Sequence, residues 1–414
     1  MKALFTIYNA IIEAVYFLCY PFLLVLLKAK NYREAMQATG ADTNKGILIH
    51  AASMGEVNAV KPLILRLVEA YPETRVCITT STVTGLKLAK DISPQVFAYL
   101  SCLDVAHLRK KQLSAINPGL ICIVETEIWP NMLAWAARNR VPVVFLNARM
   151  SLRSLGRYRY LKGLLVVLGS SIKAIMAQTN ADAMRFEQIF SAPVISAGNL
   201  KFSLQLAEYD AQQLRSQWNF ASADYILCWG SSRPGEEALL LGILPQLRAV
   251  IPKLKLIIAV RHLQRMPEVL TLLKETDYRL FSDLETDTQK QSTEILIIDE
   301  MGVLDKAYAI SDLAIVGGSF YDFGGHNPLE PAFYSKPIII GKYHHSCKES
   351  VKKLLDGQGI IVSDADILAS DILKLSFKQA RSKELGVNAK KVLSDNSAAL
   401  DNHLEIIRKI WETR

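Results

Sequence analysis

From Gly46 onward the chain repeats one pattern: a short β-branched apolar run, a turn, and then a longer stretch with apolar positions at helical spacing. In the first half the runs GILIHAAS, RVCITTST, LICIVETE, PVVFLNAR, KAIMAQT and APVISAGN predict strands. In the second half YILCWGSS, LKLIIAV, EILIIDE, DLAIVGG, KPIIIG and GIIVSD do the same. Runs that are apolar at nearly every position fit strands covered on both faces, which means parallel sheets wound by helices. The polar, helical stretch Leu204 to Asp224 carries no strand signal and marks a boundary. The pattern therefore predicts an α/β chain of two doubly wound domains, residues 31–210 and 211–414, behind an apolar segment over residues 1–30. Ligands of such sheets sit at the carboxyl ends of strands, and two domains in tandem predict a cleft.

The segment LFTIYNAIIEAVYFLCYPFLLVLL, Leu4 to Leu27, stands outside that pattern. It is long enough to cross a hydrocarbon core, which needs roughly 20 residues at helical rise. Asn9, Glu13 and Pro21 interrupt it, so a shallow or protein-covered position competes with a clean span, and a buried core helix is the alternative. Only Lys2 precedes the run and no small-x-small cleavage site follows it, which disfavours a signal peptide. Lys28, Lys30 and Arg33 come directly after it and, by the positive-inside rule, predict a cytoplasmic position for the rest.

Composition narrows the function classes. With 414 residues and 50% hydrophobic content, the composition disfavours disorder. The six cysteines form no C-x-x-C pair and no zinc spacing, which fits buried thiols in a reducing compartment. A formal charge of +8 favours anionic partners. Nucleic acid is disfavoured, because no aromatic residues interleave with the basic ones and no nucleic-acid-binding motif appears.

Three strand ends carry candidate chemistry. Ser53-Met54-Gly55-Glu56 has the spacing of a capping box, in which the glutamate reaches back to the cap. On spacing alone, capping is the stronger reading of Glu56. Gly55 in the first turn and the position after a strand also fit a carboxylate kept ionised by the helix start, which is what a general base must be. Glu125-Thr126-Glu127-Ile128-Trp129-Pro130-Asn131 follows the strand LICIV, and two-residue alternation would put Glu125 and Glu127 on one side. Such carboxylates repel, raising one pKa, or are held by cations; a solvated strand end is the plain alternative. GGSFYDFGGHNPLEPA, Gly317 to Ala332, predicts a helix start at Asn327-Pro328-Leu329-Glu330, with the glycines making room for a phosphate or ribose against exposed amides.

Arg261, His262 and Lys201 are cations at strand ends, of a kind more often found as surface charges. Arg149, Arg153, Arg157, Arg159 and Lys162 read as a solvated helix face that could also meet phosphates. The acidic residues of SDLETDT fit a polar loop better than a metal site.

Taken in order, HAASMGEV, ETEIWPN, LNARMS, GNLKF, GSSRPGEE, AVRH, MG and GGHNPLEPA resemble the Kdo transferases of Gram-negative bacteria. Those enzymes move 3-deoxy-D-manno-octulosonic acid (Kdo) from CMP-Kdo onto a lipid A precursor. The resemblance spans most of the chain. It implies the GT-B architecture, two Rossmann-like domains facing a cleft, with an N-terminal membrane-anchor helix. The first domain would bind the acceptor and the second CMP-Kdo.

It further implies an inverting glycosyl transfer with Glu56 as general base and with Glu125 and Lys201 supporting the transition state. The CMP moiety would lie against Val260, Arg261, Met301, Gly302, Val303, Asn327, Pro328, Leu329 and Glu330. The implied partners are CMP-Kdo, a phosphorylated lipid A precursor and the membrane, with no cofactor, no metal and no nucleic acid. The implied place is the cytoplasmic face of the inner membrane.

The chain departs from the family pattern at several positions. Val260 stands where proline is usual, Val303 where an acidic residue is usual, and Arg233-Pro234 where a histidine is common. Gly341 to Ser350, GKYHHSCKES, lacks the Gly-Pro-x-x-x-Asn-Phe type segment. The rival readings are another GT-B enzyme, such as a nucleotide-sugar epimerase or a UDP-sugar transferase, and an inactive membrane-bound scaffold that keeps nucleotide binding.

Overall fold

The computed structural model describes residues 2–29, 35, 37–284 and 293–414. Lys30 and Arg33, and residues 285–288 of SDLETDT, lie outside the described residues. The chain forms two compact units, Met1–Ser203 together with Asn396–Arg414, and Leu204–Asp395.

Each unit holds a seven-stranded sheet in which every pairing is parallel. The first contains β1 (Ile47–His50), β2 (Val76–Thr80), β3 (Val96–Leu100), β4 (Leu120–Val124), β5 (Val143–Ala148), β6 (Ile172–Ala177) and β7 (Val194–Ser196) in the order β3-β2-β1-β4-β5-β6-β7. The second contains β8 (Tyr225–Ser232), β9 (Leu254–Val260), β10 (Tyr278–Leu280), β11 (Ile295–Ile298), β12 (Leu313–Val316), β13 (Ile338–Gly341) and β14 (Ile361–Ser363) in the order β10-β11-β9-β8-β12-β13-β14. The apolar strand runs are covered on both faces, as the pattern required. Ile47 and Ile49 of β1 face one helical layer with Val60 and Leu63, while Leu48 between them faces the other with Ile121 and Phe145.

Strand order reverses between β1 and β4 in the first sheet and between β8 and β12 in the second. These are the switch points at which loops leave in opposite directions and open a crevice at the strands' carboxyl ends.

The helix α1 (Lys2–Ala29) is long and apolar enough to cross a membrane over Phe5–Phe22, where mean hydropathy is 1.3. One face rests on the first unit: Tyr16 packs with Cys102, Val105 and Leu108, and Glu13 pairs with His107 at 2.9 Å. The interrupting glutamate thus has a partner. Ile7, Ile11, Val15, Leu18 and Phe22 are exposed.

Two readings of the pattern are corrected here. The division between the units falls after Ser203, and the last segment leaves the second unit. Ala399, Leu400, Leu404, Ile407 and Trp411 of the C-terminal helix Ala399–Glu412 complete the core beside β1 and β4. An amphipathic stripe states that a helix must be covered, not by which sheet. The strands β3 and β10, both at sheet edges, were missed. Phe97 of β3 is exposed between buried neighbours, and the three residues of β10 are all half-buried, so neither makes a continuous apolar run.

Candidate active site

At the first switch point β1 runs into Ala51-Ala52-Ser53 and then into α2 (Met54–Ala70). Ser53 caps this helix, its Oγ accepting from the Glu56 amide at 3.3 Å. The glutamate reaches back one residue further than a capping box requires. Its Oε2 accepts from the Ala52 amide at 2.5 Å, and Oε1 accepts from the Ser53 hydroxyl at 3.3 Å. Capping and chemistry are therefore not exclusive, because the cap fixes the carboxylate at the carboxyl end of β1.

The helix start does not keep that carboxylate acidic. Burial first, then the nearby Glu125 and Glu127 carboxylates, push its pKa up to about 7, against the opposing pull of the Ala52 amide and Ser53 hydroxyl.

Glu125 follows β4 directly. The strand ends at Val124, and Glu125 turns to φ 57°, so the two-residue alternation expected for Glu125 and Glu127 does not extend to them. A non-glycine residue in this left-handed region is uncommon and is held here by its contacts. The Glu125 amide donates to the Leu146 carbonyl at 2.9 Å. Its buried carboxylate takes Lys201 Nζ at 3.1 Å on one oxygen and Arg149 Nε at 2.7 Å on the other. Among the described residues Glu127 has no such cation paired to it. Burial and then Glu125 raise its pKa, while a hydrogen bond from Trp129 lowers it. The indole of Trp129 also donates to buried His50 at 3.0 Å, and Thr79 Oγ1 lies 3.1 Å from the other nitrogen of that ring.

Lys201 sits on the short turn Leu200–Phe202, whose cap Asn199 accepts from the Lys201 amide at 2.9 Å. Beneath it lies a buried polar network. Asn199 Nδ2 donates to Gln178 Oε1 at 3.2 Å, Gln178 Nε2 to the Asn147 carbonyl at 2.9 Å, and the Leu200 amide to Asn147 Oδ1 at 2.9 Å. The Asn147 amide donates in turn to His403 Nε2 at 3.0 Å, and His403 Nδ1 donates to the Ala399 carbonyl at 2.6 Å. The C-terminal helix thus braces the loop that presents Lys201. Arg149, which the sequence grouped with a solvated helix face, is a partner of Glu125. Arg153, Arg157 and Lys162 are exposed as that reading expected.

The second switch point has the opposite sign. Arg233 follows β8, Arg261 follows β9, and His326 lies in the loop after β12. Arg233 Nη1 contacts His262 Nε2, and its guanidinium stacks 4.6 Å over the Phe323 ring. Burial and then Arg261, Arg233 and His262 push the His326 pKa down to about 4. His262 is shifted the same way by burial, Arg233, Arg261 and Arg265. Among the described residues, neither Arg233 nor Arg261 has an ion-pair partner.

Glu236, which sequence reasoning passed over, organises this loop. It is 0% exposed and accepts from the amides of Arg233, Gly318, Ser319 and Phe320 at 2.8–3.1 Å. These loop amides serve a protein carboxylate. The glycines likewise make room for protein. A Cβ on Gly317 would lie 2.5 Å from the Ser231 carbonyl, and one on Gly324 would lie 2.2 Å from Ser346 Oγ. Gly341 to Ser350 therefore acts as a buttress for the loop.

Of the other predicted nucleotide contacts, Val260, Val303 and Leu329 have side chains in the core, and Pro328 is buried. Met301 is 69% exposed, and Gly302 has φ 84° with open space where a side chain would be. Asn327 is exposed. It accepts from the Leu329 amide at 3.1 Å and donates to Glu330 Oε1 at 3.2 Å. The predicted helix start is present but leads only a five-residue helix, Leu329–Phe333. Burial raises the Glu330 pKa, opposed by Asn327 and Arg261. No group of three or more His, Cys, Asp or Glu side chains poised to hold a metal occurs among the described residues.

Residues 28–204 match the family model described as 3-deoxy-D-manno-octulosonic-acid transferase (kdotransferase). A 3-deoxy-D-manno-octulosonic acid transferase of Haemophilus influenzae is 31% identical over 95% of this chain and 97% of its own. A bifunctional glycosyltransferase/methyltransferase of Fusobacterium nucleatum is 33% identical over 84% of this chain, which spans 55% of that longer protein. Among solved structures, a putative UDP-N-acetylglucosamine 2-epimerase from Listeria monocytogenes has a TM-score of 0.56, covering 89% of this chain and 97% of that one at 12% identity. At that identity the likeness is one of fold, and it places the two doubly wound units in the GT-B class.

Proposed function

Because the chain belongs to the 3-deoxy-D-manno-octulosonic acid transferase family of glycosyltransferases, we propose that it transfers Kdo from CMP-Kdo to a phosphorylated lipid A precursor with inversion. Glu56 removes the proton from an acceptor hydroxyl as that oxygen attacks the anomeric carbon of Kdo on the side opposite CMP. The bond from that carbon to the phosphate oxygen breaks, and its electron pair leaves on CMP. The sugar passes through an oxocarbenium-like transition state while negative charge grows on the phosphate.

Arg261 holds that phosphate, and a fixed cation rather than a bound metal ion meets the growing charge. Met301, Gly302, Val303 and the segment Asn327 to Glu330 line the nucleotide, with backbone contacts from the residues whose side chains are in the core. Lys201, held by Glu125, supports charge at the acceptor side. The apolar face of α1 attaches the enzyme to the cytoplasmic face of the inner membrane, where a lipid acceptor is reached without leaving the bilayer.

One observation carries this reading: a carboxylate fixed at the carboxyl end of β1 by Ala52 and Ser53, with its pKa pushed up to about 7. A base with that affinity is ionised in the neutral range and still takes a proton readily. The fold is shared with an epimerase, so fold does not choose between them; the family does. The test is incubation with CMP-Kdo and a lipid A precursor, followed by mass spectrometry of the lipid. Wild type should add Kdo mass increments, and Glu56→Ala should lose about a thousandfold or more in rate. Unchanged turnover in that variant would remove the base assignment, and no increment with wild type would remove the reaction.

A further inference from the structure

The donor proposed above carries two anionic groups, the phosphate and the carboxylate that makes Kdo an acid. Arg261 accounts for one. Arg233 stands at the carboxyl end of the neighbouring strand and is also without an ion pair among the described residues. Its surroundings are built. The Arg233 amide is anchored on Glu236 at 2.9 Å, its guanidinium lies 4.6 Å over Phe323, and Nη1 is taken by His262. What remains is the Nε edge, where Nε is buried and has no hydrogen-bond partner.

A buried N–H without an acceptor is costly, and an arginine edge of this kind matches a carboxylate in a planar, two-point fashion. His326 Nε2, also buried and without a partner, lies on the same side of the loop: a Cβ on Gly318 would fall 2.9 Å from it and 3.3 Å from Arg233 Cγ. The charged and titratable groups around the guanidinium are Arg261, His262, His326 and, in the short turn Leu263–Arg265 after β9, Arg265. Arg265 is committed to Glu237 and Glu268 at 2.9 and 3.0 Å, and Glu236 is spent on four loop amides. The net excess is two unopposed guanidinium groups, which is the charge a dianionic donor would bring.

We propose that Arg233 is the specificity residue for the sugar acid: its free guanidinium edge takes the Kdo carboxylate while Arg261 takes the phosphate. This rests on the CMP-Kdo reading above and assigns a subsite within it. A mononucleotide without the sugar would leave Arg233 unused.

The test compares the full-length wild type with Arg233→Gln and Arg233→Lys, measuring KM for CMP-Kdo, kcat, and the inhibition constant of CMP. Arg233→Gln should raise KM for CMP-Kdo about tenfold or more, leave kcat within about threefold, and leave CMP inhibition within about twofold. Arg233→Lys, which keeps the charge and loses the fork, should fall between. Equal weakening of CMP and CMP-Kdo would overturn the proposal, because Arg233 would then read the phosphate. Unchanged KM with a lowered melting temperature would overturn it as well, leaving only a structural role. If wild type neither uses CMP-Kdo nor binds CMP, it is the underlying functional reading that falls.

Discussion

The two switch points are built on the same plan and carry opposite charge. In the first unit the loops after β1 and β4 gather Glu56, Glu125 and Glu127, with Lys201 and Arg149 engaged on the middle one. In the second, the loops after β8, β9 and β12 gather Arg233, Arg261, His262 and His326, while the buried carboxylate Glu236 is consumed by backbone amides. Burial raises Glu56 and Glu127 at one site and lowers His262 and His326 at the other, so in each case the protein works against its own like charges. Glu56 and Glu127, with raised proton affinity, are equipped to take a proton, and a cluster of unpaired cations is equipped to hold an anion. Strand topology supplies the place, and the residues at the strand ends decide the chemistry.

The largest effect that would sharpen this contrast, after loss of Glu56 itself, is expected at Lys201. Lys201→Ala should reduce kcat about a hundredfold and leave CMP inhibition unchanged, because its partner Glu125 belongs to the first site. A matching loss of CMP affinity would break the division of labour. Arg149→Ala should cost less, since Arg149 is exposed and leaves Glu125 paired to Lys201.

His403 tests whether the first site depends on the C-terminal helix. His403→Ala removes the acceptor for the Asn147 amide and loosens the network under Lys201. It should lower kcat roughly tenfold with CMP inhibition intact. His403→Gln can return an acceptor near the Nε2 position and should recover most of the activity. If both variants lose melting temperature equally yet keep wild-type kcat, the network is structural only. The sign of the pH dependence follows from burial, which pushes the His403 pKa down to about 4. The stability carried by the neutral ring is fully present above the ordinary histidine value of 6.5 and is lost as pH falls toward 4. His403→Gln should flatten the acid limb of a melting-temperature profile over that range.

How far these sites were legible in the sequence depended on how local their causes are. The Ser53 to Glu56 box is four consecutive residues, and its geometry follows from spacing; the raised pKa does not, because it needs Glu125 and Glu127 brought in by β4. The two doubly wound units were visible because continuous apolar strands can only be buried ones, while the edge strands β3 and β10 lacked that signature. Glu236 carries no local sign of its role, since the amides it binds arrive from Gly318 to Phe320, far along the chain. The loop glycines were correctly singled out but misassigned. Sequence shows that a side chain is forbidden, and only packing shows that Ser231 and Ser346 forbid it. The return of the C-terminal helix to the first unit, and with it the role of His403, had no local mark at all.

The smallest effect is also the most specific to the carboxylate cluster. If Glu56 is the base, kcat/KM should rise with pH along a limb centred near 7, because the ionised form is needed and burial with Glu125 and Glu127 raises its proton affinity. Glu127→Gln deletes one of those like charges while keeping shape and a hydrogen-bonding partner for Trp129. Glu125 is a poor choice for the same purpose, because its loss would free Lys201 and Arg149. The variant should therefore move the limb to lower pH without changing the plateau greatly. The same substitution also bears on stability. A carboxylate whose folded pKa is raised favours the folded state at pH below its unfolded value and loses that contribution as pH rises toward 7, so the variant should gain stability slightly on the alkaline side. A limb that stays in place would mean that Glu127 does not bear on the base. A limb that moves upward would mean that Glu127 acts there through its hydrogen bond to Trp129 rather than through its charge.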